Sequence, residues 1–227
     1  IRGSNLASNK RRSLSRATIP TSYTIDSKYL PPVGNQGQYG TCAAWAIGYG
    51  AKSILDAIDN QETPDTTSKQ FSPKHLFWTV TDDKKGANCN GAQFEPLLDN
   101  IIANGIAKLS DVPYDDMGTC NFNQAKFDEW KTKATPYKLI NYRKLDVNNS
   151  DVAKAKAEMK EDLSNNRPVI IGARLGDLFM QWSNKDVYKS DTYTQPDMQH
   201  AYHAMVVVGY NDTTNTYRIL NSWGPGW

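Results

Sequence analysis

The sequence predicts an α+β fold with two lobes. In the first half of the chain, apolar residues recur at helical spacing. In the second half, short runs rich in valine and isoleucine dominate. A length of 227 residues with 39% hydrophobic content suits one sizeable domain or two lobes sharing a cleft. No repeats or low-complexity tracts interrupt the pattern. The net charge of +2 gives no case for nucleic acid, and there is no run of about 18 apolar residues to span a membrane. The chain starts at Ile1 without a signal-peptide core, which points to a processed or trimmed product.

Residues 1–17 are polar and basic, with Lys10, Arg11, Arg12 and Arg16. They read as a solvated extension, with the stub of a pro-segment as the alternative. Residues 18–35 are extended, because Pro20, Pro31 and Pro32 oppose a helix. Ile47, Ala51, Ile54, Leu55 and Ile58 then form one helical face, which puts Cys42 at or just inside a helix N-terminus. After a polar loop at 59–70, Ser72-Pro73 opens a short helix through Thr79. His75 lies on it and reads as a packing residue. A loop spans 81–91. Phe94, Leu97, Leu98, Ile101 and Ile102 mark a helix with Pro96 in its first turn, closed by Asn104-Gly105. Residues 112–120 are rich in turn formers. Val152, Ala155, Met159 and Leu163 mark a further helix, ended by Asn165-Asn166. Strands follow at 168–173, 204–210 and 217–220, the last two joined as a hairpin by a turn at 211–215. Asn148-Asn149-Ser150 and Asn211-Asp212-Thr213 match the glycosylation pattern, a match common by chance.

Cys42 carries the strongest chemical signal. A free cysteine is most often a small buried hydrophobe. Here Gly34, Gly37 and Gly40 leave backbone open on the loop side, and the helix N-terminus favours a thiolate. Gln36 offers an amide donor to an oxyanion. Such a nucleophile needs a base. His203 opens the most apolar strand, and Asn221 ends the next. In a hairpin those ends lie side by side, so the Asn221 oxygen can fix the imidazole's tautomer and tilt, with Trp223 covering the bond. His200 competes as base but reads as a loop residue. The His200–His203 spacing lacks the third ligand that a metal site needs, so neither metal nor cofactor is expected. Cys89 and Cys120 remain as one candidate disulfide pair in an oxidising compartment.

These residues carry a resemblance to the papain family of cysteine peptidases. Gln36-Gly37-Gln38-Tyr39-Gly40-Thr41-Cys42-Ala43 is similar to that family's Gln-Gly-x-Cys-Gly-Ser-Cys-Trp. His203-Ala204-Met205-Val206-Val207-Val208-Gly209-Tyr210 resembles its His-Ala-Val-x-x-Val-Gly-Tyr. Asn221 to Trp227 matches Asn-Ser-Trp-Gly-x-Gly-Trp. Cys89-Asn90-Gly91-Ala92 and Val112-Pro113-Tyr114 match two further elements, all in family order over roughly 19–227. The resemblance implies a papain-like two-lobe fold. Its helical lobe would cover about 36–140. A β-barrel-like lobe would comprise about 18–35 plus 141–227, and the chain would be cut short after Trp227. It implies a thiol endopeptidase with Cys42 as nucleophile, His203 as acid–base partner and Asn221 as orienter. Gln36 and the Cys42 N–H would form the oxyanion hole. Substrate would lie against Gly40, Gly91, Ala92, Gly172, Tyr202 and Trp223, with Gly172 favouring a bulky apolar P2 side chain. The expected partner is a peptide or protein substrate, the chain is expected to be a monomer, and the location is secreted or periplasmic. A silent peptide-binding homologue, or an amidase or transpeptidase on the same fold, are the alternatives.

The departures from the family also carry expectations. Tyr39 stands where the family has the cysteine that bridges to the position of Cys89, so Cys89 is expected to pair with Cys120. Ala43 replaces a tryptophan beside the nucleophile, leaving room in the cleft, with Trp45 as a compensating ring. Ala92 replaces a glycine near substrate backbone. Cys42 and His203 are 161 residues apart, against about 130–150 for the family spacing, which suggests insertions near 59–70 and 183–199. The reduced disulfide set and short loops resemble bacterial members.

Overall fold

The structure, a computed structural model of the chain, describes residues 19–147, 152–182, 187–189 and 200–227. The basic extension at 1–17, the 148–150 glycosylation match and most of the 183–199 stretch lie outside them, as does the side chain of His200.

The helical half is built on one continuous run. It starts as α1 (Cys42–Ala44), widens into a π-helical stretch (Trp45–Lys52) and continues as α2 (Ser53–Asn60). Every residue of the π-helical stretch is buried, so this part is packed on all sides rather than on the one face its apolar spacing implies. The one-face pattern returns in α2, where Ile54 and Ala57 are buried while Asp59 and Asn60 face water. α3 (Pro73–Trp78) starts as the sequence dictates. The Ser72 Oγ accepts the His75 N–H, and Pro73 takes the first position, where no donor is needed. α4 (Phe94–Asn104) ends at Gly105, whose φ of +85° suits a residue without a side chain. α5 (Gln124–Ala134), capped by Asn123, is a helix that the apolar spacing does not reveal, because it buries only Trp130 and Ala134.

The second half supplies an antiparallel sheet. Its strands are β1 (Ser22–Thr24), β2 (Val169–Gly176), β3 (His200–Asn211) and β4 (Thr216–Leu220). β3 is central. β2 and β1 pair with one of its edges at opposite ends, and β4 pairs with the other. The expected hairpin is present, with Val206 opposite Leu220. Ala204, Val206 and Val208 of β3 join the core of the helical half. Val207 packs instead with Leu163 of α6 (Val152–Ser164), and a register shift between Val207 and Gly209 brings Tyr210 to the same side. A short α7 (Asp177–Met180) follows β2. This one core presses α1 against β3, which sets the element that starts with Cys42 beside the strand that carries His203.

Candidate active site

Cys42 is the first residue of α1, half-buried, with a free thiol. The loop before it is braced from two directions. The Gln36 N–H donates to the Ser222 carbonyl at 2.8 Å, and Ser222 Oγ donates to Gln36 Oε1 at 2.8 Å. Gln36 Nε2 donates to the Tyr39 carbonyl at 2.9 Å. The amide of this buried glutamine is therefore oriented with its oxygen towards Ser222 and its nitrogen towards the loop that leads into Cys42. The Tyr114 hydroxyl donates to the Gln36 carbonyl at 2.9 Å and lies 2.7 Å from Thr41 Oγ1. One phenol thus links the glutamine to the residue before Cys42. The roles of Ser222 and Tyr114 were not evident from sequence, since their partners lie 186 and 78 residues away.

His203 Nε2 lies 2.7 Å from Asn221 Oδ1, which also accepts the Ser222 N–H at 2.8 Å. An oxygen that already accepts a backbone N–H is an acceptor to the ring too. Nε2 therefore carries the proton, and Nδ1 is left with its lone pair. Trp223 stacks on the imidazole at 4.3 Å between ring centroids. Trp227 and Phe179 of α7 back it at 5.1 and 6.0 Å, an aromatic cover that the sequence did not reveal beyond Trp223. His203 is buried, and that burial holds its pKa below the ordinary histidine value. The bond to Asn221 pulls the other way, because it favours the charged ring.

A family model described as papain family cysteine protease matches residues 19–227. The chain belongs to this family. Cysteine proteinase 2 of Entamoeba histolytica is 29% identical over 208 residues, covering 87% of this chain and 57% of its own length. Cysteine endopeptidase Rep1 of Oryza sativa subsp. japonica is 30% identical over 200 residues, covering 86% and 47%. The chain thus spans about half the length of the curated relatives it matches. Among solved structures, digestive procathepsin L 3 of Tenebrio molitor superposes with a TM-score of 0.70 at 22% identity, covering 94% of this chain and 63% of that one. Bromelain from Ananas comosus, in complex with the E64 inhibitor, gives 0.64 at 20%, covering 92% and 85%. The fold is the papain-like α+β, two-lobe arrangement.

Against the papain-family pattern, several expectations need correction. Gly40 does not leave its backbone open to a ligand. Its carbonyl accepts the Gly91 N–H at 2.8 Å, and a β-carbon there would lie 2.8 Å from that nitrogen. Gly34 is likewise packed, under the Trp45 ring. Gly91 spends its N–H on Gly40, and its carbonyl accepts the Gly86 N–H. In the pairing of Lys85 with Ala92, by contrast, the Ala92 N–H and C=O lie outside the ladder bonds, so Ala92 is the residue with backbone to offer. Ala43 is 2% exposed and belongs to the core, so its small size opens no room in the cleft. Cys89 is bonded to Cys120 as expected. Tyr39 sets its ring edge-on to Tyr114 at 6.4 Å. Gly172 is exposed on β2 opposite Ala204, with the Phe94 ring 3.6 Å from where a β-carbon would lie. Tyr202 is 83% exposed beside His203.

Proposed function

We propose that this chain is a thiol endopeptidase, with Cys42 as nucleophile, His203 as acid–base partner, Asn221 as orienter and Gln36 as oxyanion donor. The reading rests on one observation. The hydrogen bonds Gln36–Ser222 and Asn221–His203 meet at two successive residues, so both ends of the catalytic machinery hang from one short segment. His203 Nδ1 takes the proton of the Cys42 thiol, and the thiolate attacks the peptide carbonyl carbon. As the C–S bond forms, the carbonyl oxygen becomes an oxyanion that accepts from Gln36 Nε2 and the Cys42 N–H. Nε2 has two hydrogens, and Tyr39 takes one of them. His203 then protonates the departing amine as the C–N bond breaks. Water, deprotonated by His203, attacks the thioester and releases the acid and the thiolate.

The substrate backbone would run beside Gly91, Ala92 and Trp223, with Tyr202 at the rim. The bare Gly172 and the Phe94 ring would be the apolar walls for a P2 side chain. The Cys89–Cys120 bond supports an oxidising compartment, hence a secreted or periplasmic site of action. No helix of the described residues is long and apolar enough to cross a membrane. The proposed catalytic groups come from one chain, which supports action as a monomer. The helical lobe would cover about 36–140, with the sheet lobe formed by 18–35 and 141–227.

The test is labelling with an epoxysuccinyl thiol-protease inhibitor, read by intact and peptide mass spectrometry. The expected result is one adduct on Cys42, abolished in His203→Ala. No adduct on reduced, folded protein would overturn the peptidase reading in favour of a silent binding module.

A further inference from the structure

Ala92 owes its place to a short segment that turns back on itself. Lys85 pairs with Ala92, the Gly86 N–H donates to the Gly91 carbonyl, and the Gly91 N–H donates to Gly40 in the nucleophile loop. One side of this segment faces an open groove of about 580 Å³, so its position is set from the other side. There the Cys89–Cys120 bond holds one point. The second hold is Lys85, whose side chain is only 2% exposed. Its ammonium donates to the carbonyls of Phe77 at 2.9 Å and Trp78 at 3.4 Å, the end of α3, and lies 5.4 Å from the centre of the Phe77 ring. The last carbonyls of a helix lack partners within it and carry its negative end, so a cation is the group that suits them.

We propose that Lys85 is a positioning residue for substrate, its buried side chain stapling the 85–92 segment to the end of α3 and so fixing the Ala92 backbone beside which substrate would lie. The inference rests on the peptidase reading for its link to turnover. Asp82, 3.6 Å away and exposed, is the charged group that faces the ammonium. Asp83 and Lys84 pair with each other in solvent, Lys74 of α3 is turned to Asp115, and Glu95 of α4 to Lys144. Burial pulls the Lys85 ammonium down to about 8, against the opposing effect of Asp82. The staple is therefore charged at neutral pH and loses its charge as pH rises through about 8, weakening the hold on the helix end.

Two substrates separate this from the chemistry at Cys42. One is an acylated tripeptide amide that reaches past Ala92, and the other is an ester of a single acylated amino acid that does not. Both use the same thiol and imidazole, so the ratio of their kcat/KM values cancels those titrations. In the wild type the peptide-to-ester ratio is expected to fall about tenfold as pH rises through about 8, the scale of one hydrogen bond to a charged group. In Lys85→Met the ratio is expected to be low already at pH 7 and flat with pH. The loss should sit in KM for the peptide. A Lys85→Met ratio equal to that of the wild type at pH 7 overturns the proposal. If the Met variant does not fold, Lys85→Gln, which keeps a side-chain donor but no charge, is read in the same way. Hydrogen exchange over 85–92 reads the staple without turnover, and Lys85→Met should exchange faster there and nowhere else. Faster exchange in a protein that cleaves neither substrate would leave the staple standing and sink the peptidase reading.

Discussion

Gln36 is held at four points. Its backbone N–H donates to the Ser222 carbonyl, its side-chain nitrogen to the Tyr39 carbonyl, its side-chain oxygen takes the Ser222 hydroxyl, and its carbonyl takes the Tyr114 hydroxyl. Gln36→Ala removes the proposed oxyanion donor. Turnover should fall roughly 10²–10³-fold with the fold intact, measured as kcat on a peptide amide beside a circular dichroism spectrum. Near-normal kcat would remove Gln36 from the oxyanion hole. Ser222→Ala leaves the donor in place and loses only the bond that aims it. A loss of about three- to tenfold in kcat, with KM little changed, is expected from one neutral hydrogen bond. Cys42, His203, Asn221 and Gln36, the residues proposed for catalysis, could be picked out in the sequence because each carries a reactive or hydrogen-bonding group in a telling local setting. Ser222, Tyr114 and Lys85 were not. A serine, a tyrosine and a lysine are common residues, and what makes these three matter is a contact with a segment far along the chain.

Elements were legible where local rules decide them. Ser72-Pro73 and Asn104-Gly105 mark helix ends by capping chemistry, and both ends fall where the rules put them. β3 follows from the valine run at 206–208, and β4 from Tyr217–Leu220 across the turn. α5 escaped notice because a helix that buries only Trp130 and Ala134 leaves almost no apolar stripe. The π-helical widening behind Cys42 was also invisible, since a stretch buried on every side has no face for periodicity to mark. The pairing of Cys89 with Cys120 was readable from the cysteine count once Cys42 is set aside, and the tyrosine at 39 agrees with it. That bond ties the 85–92 segment to the 112–120 turn across a sequence separation of 31. Closing a loop of that length lowers the entropy of the unfolded chain, a stabilisation of about 3–4 kcal/mol in the chain-entropy account. The double variant Cys89→Ala/Cys120→Ala should lose stability of this order in urea unfolding. An unchanged urea midpoint would mean that the bond constrains nothing the unfolded chain would otherwise explore.

The whole molecule should respond to acid through its buried imidazoles. His75 sits in the helical half at 2% exposure, against the Trp130 ring at 5.8 Å, and its Nδ1 has no hydrogen-bond partner among the described residues. Burial lowers its pKa from 6.5 to about 4. Between those values the unfolded chain binds a proton that the fold refuses, so stability rises with pH across this window. The contribution is neutral above about 6.5 and turns against the fold as pH falls towards 4. A shift of this size corresponds to about 3 kcal/mol. His203 leans the same way, because burial lowers its pKa too, so the two must be separated. The urea midpoint of the wild type should drop steadily between about pH 6.5 and pH 4. His75→Leu should lose most of that slope while starting from its own stability at neutral pH, and His203→Ala should lose a smaller part. A wild-type midpoint that does not move across the window would show that the helical half admits a charged His75, and with it that water reaches a site the packing closes. If the slope instead survives in His75→Leu and vanishes in His203→Ala, the acid sensitivity belongs to the cleft rather than to the core, and protonation of the proposed catalytic base would be coupled to unfolding of the sheet that carries it.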